Sequence, residues 1–262
     1  MENPVIRLSV QEGIARVVLN RPDEGNPISD AFVHALEQVT LTLTDRSDLR
    51  AVLISSTGPR FSVGGDIEEF TADLENLSSN IRRWNGLLNA SVARLARMDA
   101  PSVVAVQGTV AGGALSLIAG CDIIVAANTA QFAAAYASIG YCPDLGGTIS
   151  LARRIGLARA RRFHLLHERL DATTAERIGL VDFVVGPDEV AARAEEIVVR
   201  WSTGPTLAYG EIRRLMQSAD HTPLETQLEY ETQGIVALAR REDAWNALKA
   251  FLDKREPVYS GR

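Results

Sequence analysis

Cysteine is scarce in this chain of 262 residues, with only Cys121 and Cys142 present. Two such residues make neither a disulfide framework nor a metal-ligand spacing, so a reducing, cytoplasmic setting is expected. No run approaches the ~18 consecutive apolar residues of a membrane span, and no membrane association is expected. A basic excess is also missing: 27 Lys and Arg stand against 33 Asp and Glu, a net charge of −6. That balance argues against a sequence-independent grip on nucleic acid, which requires a basic face. The opening residues Met1-Glu2-Asn3-Pro4-Val5 carry no basic stretch followed by an apolar core, so no leader is expected. Several catalytic motifs are absent as well. There is no Walker sequence, no Gly-x-Gly-x-x-Gly after a strand and no His-Glu-x-x-His, and Ser116 lacks a Gly-x-Ser-x-Gly context. Triphosphate hydrolysis, NAD binding and a serine nucleophile therefore have no support. His164 and His167 stand three apart on a predicted helix and read as structural or surface residues. No metal is expected.

The composition, 46% hydrophobic and 23% charged, fits one sizeable core or a core with a small appendage. Ile14–Leu19 reads as a strand, broken by the turn-forming stretch Asn20 to Pro27. Ser29 or Asp30 can cap a helix whose buried stripe is Phe32, Leu36, Val39 and Leu43. Leu49–Ile54 reads as the next strand, and about Glu68 to Met98 as helix, with Ser78, Ser79 and Asn80 weakening its middle. Val103–Val106 is a strand, Gly112 and Gly113 open an apolar helix to Ala119, and Ile123–Ala126 is another strand. Apolar runs without polar alternation fit parallel strands covered on both faces. After Gly147 the pattern is mainly helical, apart from a strand over Val181–Val185. The expected organisation is an α/β core over residues 1–199, followed by a helical region over 200–262. The arginines at 153, 154, 159, 161 and 162 read as a solvated helix face, or else as an anion site or inter-subunit contact.

Two glycine-bearing segments dominate the chemistry, Phe61-Ser62-Val63-Gly64-Gly65-Asp66-Ile67 and Gln107-Gly108-Thr109-Val110-Ala111-Gly112-Gly113-Ala114. Each follows an apolar strand. At Gly65 and Gly113 a backbone N–H unused by any ladder could approach a ligand oxygen, and two such donors would form an oxyanion site. The alternative is that these glycines only serve tight turns and close packing. Pro143-Asp144-Leu145-Gly146-Gly147 offers a carboxylate. Asp144 reads either as turn chemistry or as a general acid/base whose pKa an apolar pocket would raise.

Taken in order, six segments resemble the crotonase family, also called the enoyl-CoA hydratase/isomerase family. They are Leu19-Asn20-Arg21-Pro22, Phe61 to Ile67, Gln107 to Ala114, Cys121-Asp122-Ile123, Ile139 to Thr148, and Phe251-Leu252-Asp253-Lys254-Arg255. The resemblance implies a spiral of repeated ββα units with a helical C-terminal trimerisation region. It implies a trimer or dimer of trimers and an acyl-CoA thioester as substrate, with no further cofactor. It assigns the oxyanion hole to Gly65 and Gly113. It assigns contacts with CoA to Asp23, Glu24, Gly25, Asp66, Ile67, Phe251 and Lys254, the last two in some members from a neighbouring subunit. The family's hydratases use two glutamates, which fall here at Ser116 and Tyr136. Neither can act as a base near neutral pH, since an ordinary Tyr titrates near ~10. The retained Asp144, in a Pro-Asp-x-Gly-Gly-Thr context, resembles isomerase members of the 1,2-epoxyphenylacetyl-CoA and 3,2-enoyl-CoA types. The expected reaction is a double-bond shift or epoxide opening through a thioester enolate. Other crotonase reactions (hydrolysis, carbon–carbon bond chemistry, weak hydration) and non-catalytic acyl-CoA binding are the alternatives. Dehalogenation is disfavoured, because His34, His164, His167 and His221 all lie outside the segment Glu68 to Met98. The acyl pocket is expected to involve Trp84, Tyr136 and Tyr141, with further walls from Phe70, Leu74, Leu77 and Ile81.

Overall fold

Alternate residues of the central strands feed two different cores, and this sorts the whole chain into layers. A computed structural model describes residues 4–261; Met1 to Asn3, part of the segment read above for a leader, lie outside them. The main sheet has six strands in the order β1 (Ile6–Gln11), β2 (Ile14–Leu19), β3 (Ala51–Ser56), β4 (Ser102–Val106), β6 (Ile123–Ala127) and β9 (Phe183–Val185). β1 pairs antiparallel with β2, and every later pairing is parallel. On one face Val52, Ile54, Val104, Val106, Ile124 and Ala126 join the larger core, beneath α1 (Asp30–Thr44) and α3 (Leu77–Arg97). On the other face Ala51, Leu53, Val103, Ala105 and Val125 meet Val190, Ala194 and Val198 of α8 (Val190–Ser202). β4 is buried at every residue, as a strand covered on both faces must be.

A second, three-stranded sheet orders β5 (Val110–Ala111), β7 (Gln131–Ala133) and β8 (Arg169–Asp171). It continues the loops that leave the main sheet, and its β5 opens directly into α4 (Gly112–Ala119). α5 (Gly147–Ile155), α6 (Leu157–Leu165) and α7 (Ala172–Arg177) complete the core.

The helix expected over Glu68 to Met98 is two helices. α2 runs Ile67–Ala72 and α3 starts at Leu77. Between them Asp73 accepts hydrogen bonds from the backbone and side chain of Asn76, a local alternative to the helical ladder. The arginine-rich stretch is not a uniform solvated face either. Arg154 is largely buried and donates to the carbonyls of Ala119, Cys121, Asp122 and Leu180 and to the Asp182 carboxylate. It ties α5 to the connections that lead into β6 and into β9.

The C-terminal helices are α9 (Thr206–Ser218), α10 (Leu224–Leu238) and α11 (Glu242–Leu252). α9 is fixed by Arg213, which is buried. It donates to the Asp122 carboxylate at 2.8 Å, to the carbonyls of Leu95 and Ala100 at 3.0 and 3.2 Å, and to the carbonyl of Met98. α10 and α11 bury little, only Gln227 and Gly234 on the first and Asp243 and Ala250 on the second. Among the described residues no helix is long and apolar enough to cross a membrane.

Candidate active site

Backbone geometry brings the two glycine segments into contact. Ser62 bridges Val110, and the Ala111 N–H donates to the Ser62 carbonyl at 3.1 Å. Phe61 and Ser62 both donate to the Thr109 carbonyl. Gly64 stands at φ +91°, and a Cβ there would meet the Ala111 carbonyl oxygen at 2.9 Å. A side chain at 64 would push the two loops apart. On the other side Ile28 clasps the first loop, donating to the Gly64 carbonyl at 2.7 Å and accepting from the Asp66 N–H at 3.1 Å. The residue between, Gly65, has its N–H used by no hydrogen bond among the described residues. The same is true of Gly113, in the first turn of α4, where no intrahelical acceptor exists. α4 is uncapped by any side chain, so the positive end of its dipole faces the site.

Asp144 reaches the same place through a sharp turn. Leu145 and Gly146 both adopt positive φ, +49° and +76°, and the Gly147 N–H donates to the Asp144 carbonyl at 2.8 Å. Gly147 opens α5 against Ser116; a Cβ at 147 would fall on Ser116 Oγ. The two glycines after Asp144 thus have different reasons, conformation at 146 and close approach at 147. The carboxylate itself accepts a 2.5 Å hydrogen bond from the Tyr136 hydroxyl, and Ser116 Oγ lies 3.0 Å from that hydroxyl. Burial pushes the Asp144 carboxyl above its ordinary range, against the lowering influence of Tyr136, of its own backbone N–H and of the Asn85 side chain. Burial together with the adjacent Asp144 charge drives the Tyr136 phenol upward, so it remains a proton donor. His164 stacks edge-on against Tyr136 with centroids 6.4 Å apart, and burial lowers its pKa.

These groups line a cavity of about 350 Å³ whose walls include Gly65, Ile67, Phe70, Ile81, Trp84, Asn85, Gly113, Tyr136, Tyr141, Cys142 and Asp144. Asp144 is the only carboxylate among the lining residues, and none of them is Lys, Arg or His. Trp84 is held in place by donating to Asp30 at 2.6 Å and by stacking on Phe70 at 5.4 Å. A Cβ at Gly113 would stand 3.7 Å from the Tyr136 hydroxyl and 3.8 Å from Asp144 Oδ1, so the acid lies beside the free N–H. Leu74 and Leu77 are not wall residues; Leu74 is solvent-exposed past the end of α2, and Leu77 packs on the core. Asp23 and Glu24 line a neighbouring cleft of about 400 Å³ with Arg7, Arg21 and Thr57. Gly25 links the two, since a Cβ there would meet Val63, a wall of the Asp144 cavity, at 2.8 Å. Asp66 caps α2 by accepting from the Glu69 N–H. Phe251 and Lys254 lie outside this cavity within the single chain, and Phe251 is 81% exposed. The sequence reading did not single out Asn85. Its one signal is a polar side chain between Trp84 and the apolar Leu87-Leu88 on a face that otherwise packs inward.

The sequence model of the enoyl-CoA hydratase/isomerase family matches residues 9–262. The chain belongs to that family. It is 33% identical to the 1,2-epoxyphenylacetyl-CoA isomerase of Escherichia coli, over 97% of each chain. It is 27% identical to the short-chain-enoyl-CoA hydratase of Clostridium acetobutylicum, over 98% of this chain and 97% of that one. The crystal structure of an enoyl-CoA hydratase from Bacillus anthracis superposes with a TM-score of 0.91 at 25% identity, covering 98% of this chain and 100% of that one. The architecture is therefore the crotonase fold. Within the enoyl-CoA hydratase/isomerase family both reaction names occur among the relatives, so the reaction has to be argued from the residues at the cavity.

Proposed function

We propose that this family member is an acyl-CoA isomerase. The thioester oxygen of the substrate sits between the N–H groups of Gly65 and Gly113. Asp144 removes a proton α to the thioester, the two amides hold the enolate that forms, and the protonated Asp144 returns the proton at the γ carbon. The double bond moves and nothing is added or lost. The same enolate chemistry can serve a ring epoxide. The observation that carries this reading is the lone carboxylate: Asp144 is the one carboxyl group among the residues lining the cavity, beside two backbone donors unused among the described residues. Hydration needs a water held and activated by carboxylates. Ser116 and Tyr136, at the two places where the family's hydratases carry glutamate, are instead joined to each other and to Asp144. Losing one oxyanion donor typically costs roughly 3 kcal/mol of transition-state stabilisation, so each amide is worth far more here than a surface contact.

The CoA portion is assigned to the cleft beside Asp23, Glu24 and Gly25 and to the rim at Asp66 and Ile67. Phe251 and Lys254 would contribute from a neighbouring subunit of a homotrimer, alone or paired into a hexamer. The exposed Phe251 and the thinly buried α10 and α11 support that assembly. Two unpaired cysteines, one of them exposed, favour the cytoplasm.

The test is a panel of 2-enoyl, 3-enoyl and ring-epoxide CoA esters offered to the wild type and to Asp144→Asn. Isomerisation of a 3-enoyl or epoxide ester, abolished by the substitution with the fold intact, is the expected result. Turnover of 2-enoyl-CoA alone, indifferent to Asp144→Asn, would defeat the reading. Binding of CoA esters with no turnover of any would identify a non-catalytic member.

A further inference from the structure

We infer that Tyr136 and Ser116 are positioning residues for Asp144, their two hydroxyls forming a one-way donor chain that pins carboxylate Oδ1 and leaves Oδ2 to carry the proton. The inference rests on Asp144 being the acid/base. A phenol has a single hydrogen. The 2.5 Å contact commits that hydrogen to Asp144 Oδ1. The 3.0 Å contact between Ser116 and Tyr136 can then run in one direction only, from the serine O–H to the phenolic oxygen. Ser116 is 1% exposed and pressed by Gly147, so it is fixed in turn.

The arrangement answers a geometric need. A carboxyl group that takes a proton from one carbon and returns it two carbons away must not swing or rotate between the two events. In this cavity the other groups acting on the carboxyl are its own backbone N–H and the Asn85 side chain. Pinning one oxygen turns the other into a fixed transfer point. A donor to the ionised form also offsets the burial that disfavours it. The titratable groups around the carboxylate are few. Tyr136 touches it, and Tyr141 and Cys142 line the same cavity from its own loop. His164, on α6, faces the Tyr136 ring. From α3 the contributing group is the neutral Asn85.

The test measures kcat and KM against pH for the isomerisation in the wild type, Tyr136→Phe, Ser116→Ala and Asp144→Asn. The base must be ionised, so kcat falls as pH drops through the Asp144 pKa. Without the phenol donor that pKa rises, and the acidic limb moves to higher pH. For Tyr136→Phe a loss of about 10- to 100-fold in kcat is expected, with KM within about twofold and the limb displaced by about one pH unit. Ser116→Ala should move both quantities in the same direction by less, and it keeps the test open should Tyr136→Phe fail to fold. A purely structural role would lower the melting temperature and leave the limb in place, which would overturn the inference. So would a rise in KM alone. If Asp144→Asn is inactive while Tyr136→Phe keeps wild-type kcat and limb, the positioning role fails and the base assignment survives. If Asp144→Asn keeps full activity, the base assignment fails first.

Discussion

A methyl group added at Gly64 or at Gly113 should have opposite consequences, although both glycines sit on the two loops that meet at the site. Gly64 has φ +91° and backbone 2.9 Å from where a Cβ would stand, so neither the residue nor its neighbour can yield cheaply. Gly64→Ala is expected to cost about 1–3 kcal/mol in stability, seen as a melting temperature lower by several degrees. Gly113 is not in the left-handed region, and its nearest obstacle, Ile28 Cδ1 at 2.9 Å, is the end of a flexible side chain. Gly113→Ala should fold and melt near the wild type. Its methyl group would nonetheless intrude within 4 Å of the Tyr136 hydroxyl and Asp144 Oδ1, into the space proposed for the thioester. A fall of roughly 100-fold in kcat/KM is expected, comparable to the loss of an oxyanion donor. Equal loss of stability in both variants would refute this distinction. At this scale Gly65, Gly113 and Asp144 were legible in the sequence, because glycine pairs after apolar strands and a Pro-Asp turn report directly on backbone geometry. The bond between Tyr136 and Asp144 was not. The eight-residue separation is closed by a 3₁₀ turn over Ala137–Ile139 and by positive φ at Gly140, which no periodicity reveals.

At the scale of elements, visibility followed burial. β3, β4 and β6 are apolar runs covered on two faces, and they stand where the runs placed them. β1 carries a strict apolar–polar alternation, Ile6-Arg7-Leu8-Ser9-Val10-Gln11, that marked an edge strand and went unread, whereas β5, β7 and β8 are two or three residues long. So little pattern cannot separate a strand from a loop. The break between α2 and α3 contains neither Gly nor Pro; Asp73 leaves the helical conformation and its side chain accepts from Asn76. The join between α3 and α9 is equally hidden, since an arginine on an amphipathic helix reads as solvated. Arg213 is instead buried, capping the C-terminal carbonyls of α3 and pairing with Asp122. Arg213→Met would leave Asp122 without its cation and the three carbonyls of Leu95, Met98 and Ala100 without their donor. The expected cost is about 3–5 kcal/mol, or roughly 10 °C in thermal unfolding. Arg213→Lys should recover little, because one ammonium cannot span the carboxylate and the helix end together. A variant of either kind melting like the wild type would show that α9 is held by apolar packing alone.

For the whole molecule, the last two helices raise the question of what they are for. Leu228, Ile235, Trp245, Leu248, Phe251 and Leu252 are all more than half exposed, Phe251 and Leu252 near 80%. An apolar surface of this kind is what the proposed subunit interface would cover. In the proposed trimer it would be covered, and Phe251 and Lys254 would meet the CoA moiety bound by a neighbour. Two variants separate assembly from catalysis. The double substitution Leu248→Glu and Leu252→Glu places two like charges in the patch and should shift light-scattering mass from trimer, or hexamer, toward monomer. If the neighbour completes the CoA site, kcat/KM should fall with dissociation and recover as protein concentration rises. Phe251→Ala should leave the oligomer intact and raise KM for acyl-CoA several-fold while kcat stays near the wild type, the signature of lost uniform binding. A wild-type chain that is monomeric and fully active at assay concentration would rule out the shared site. It would then leave the Asp144 cavity to bind its thioester with residues of one chain only.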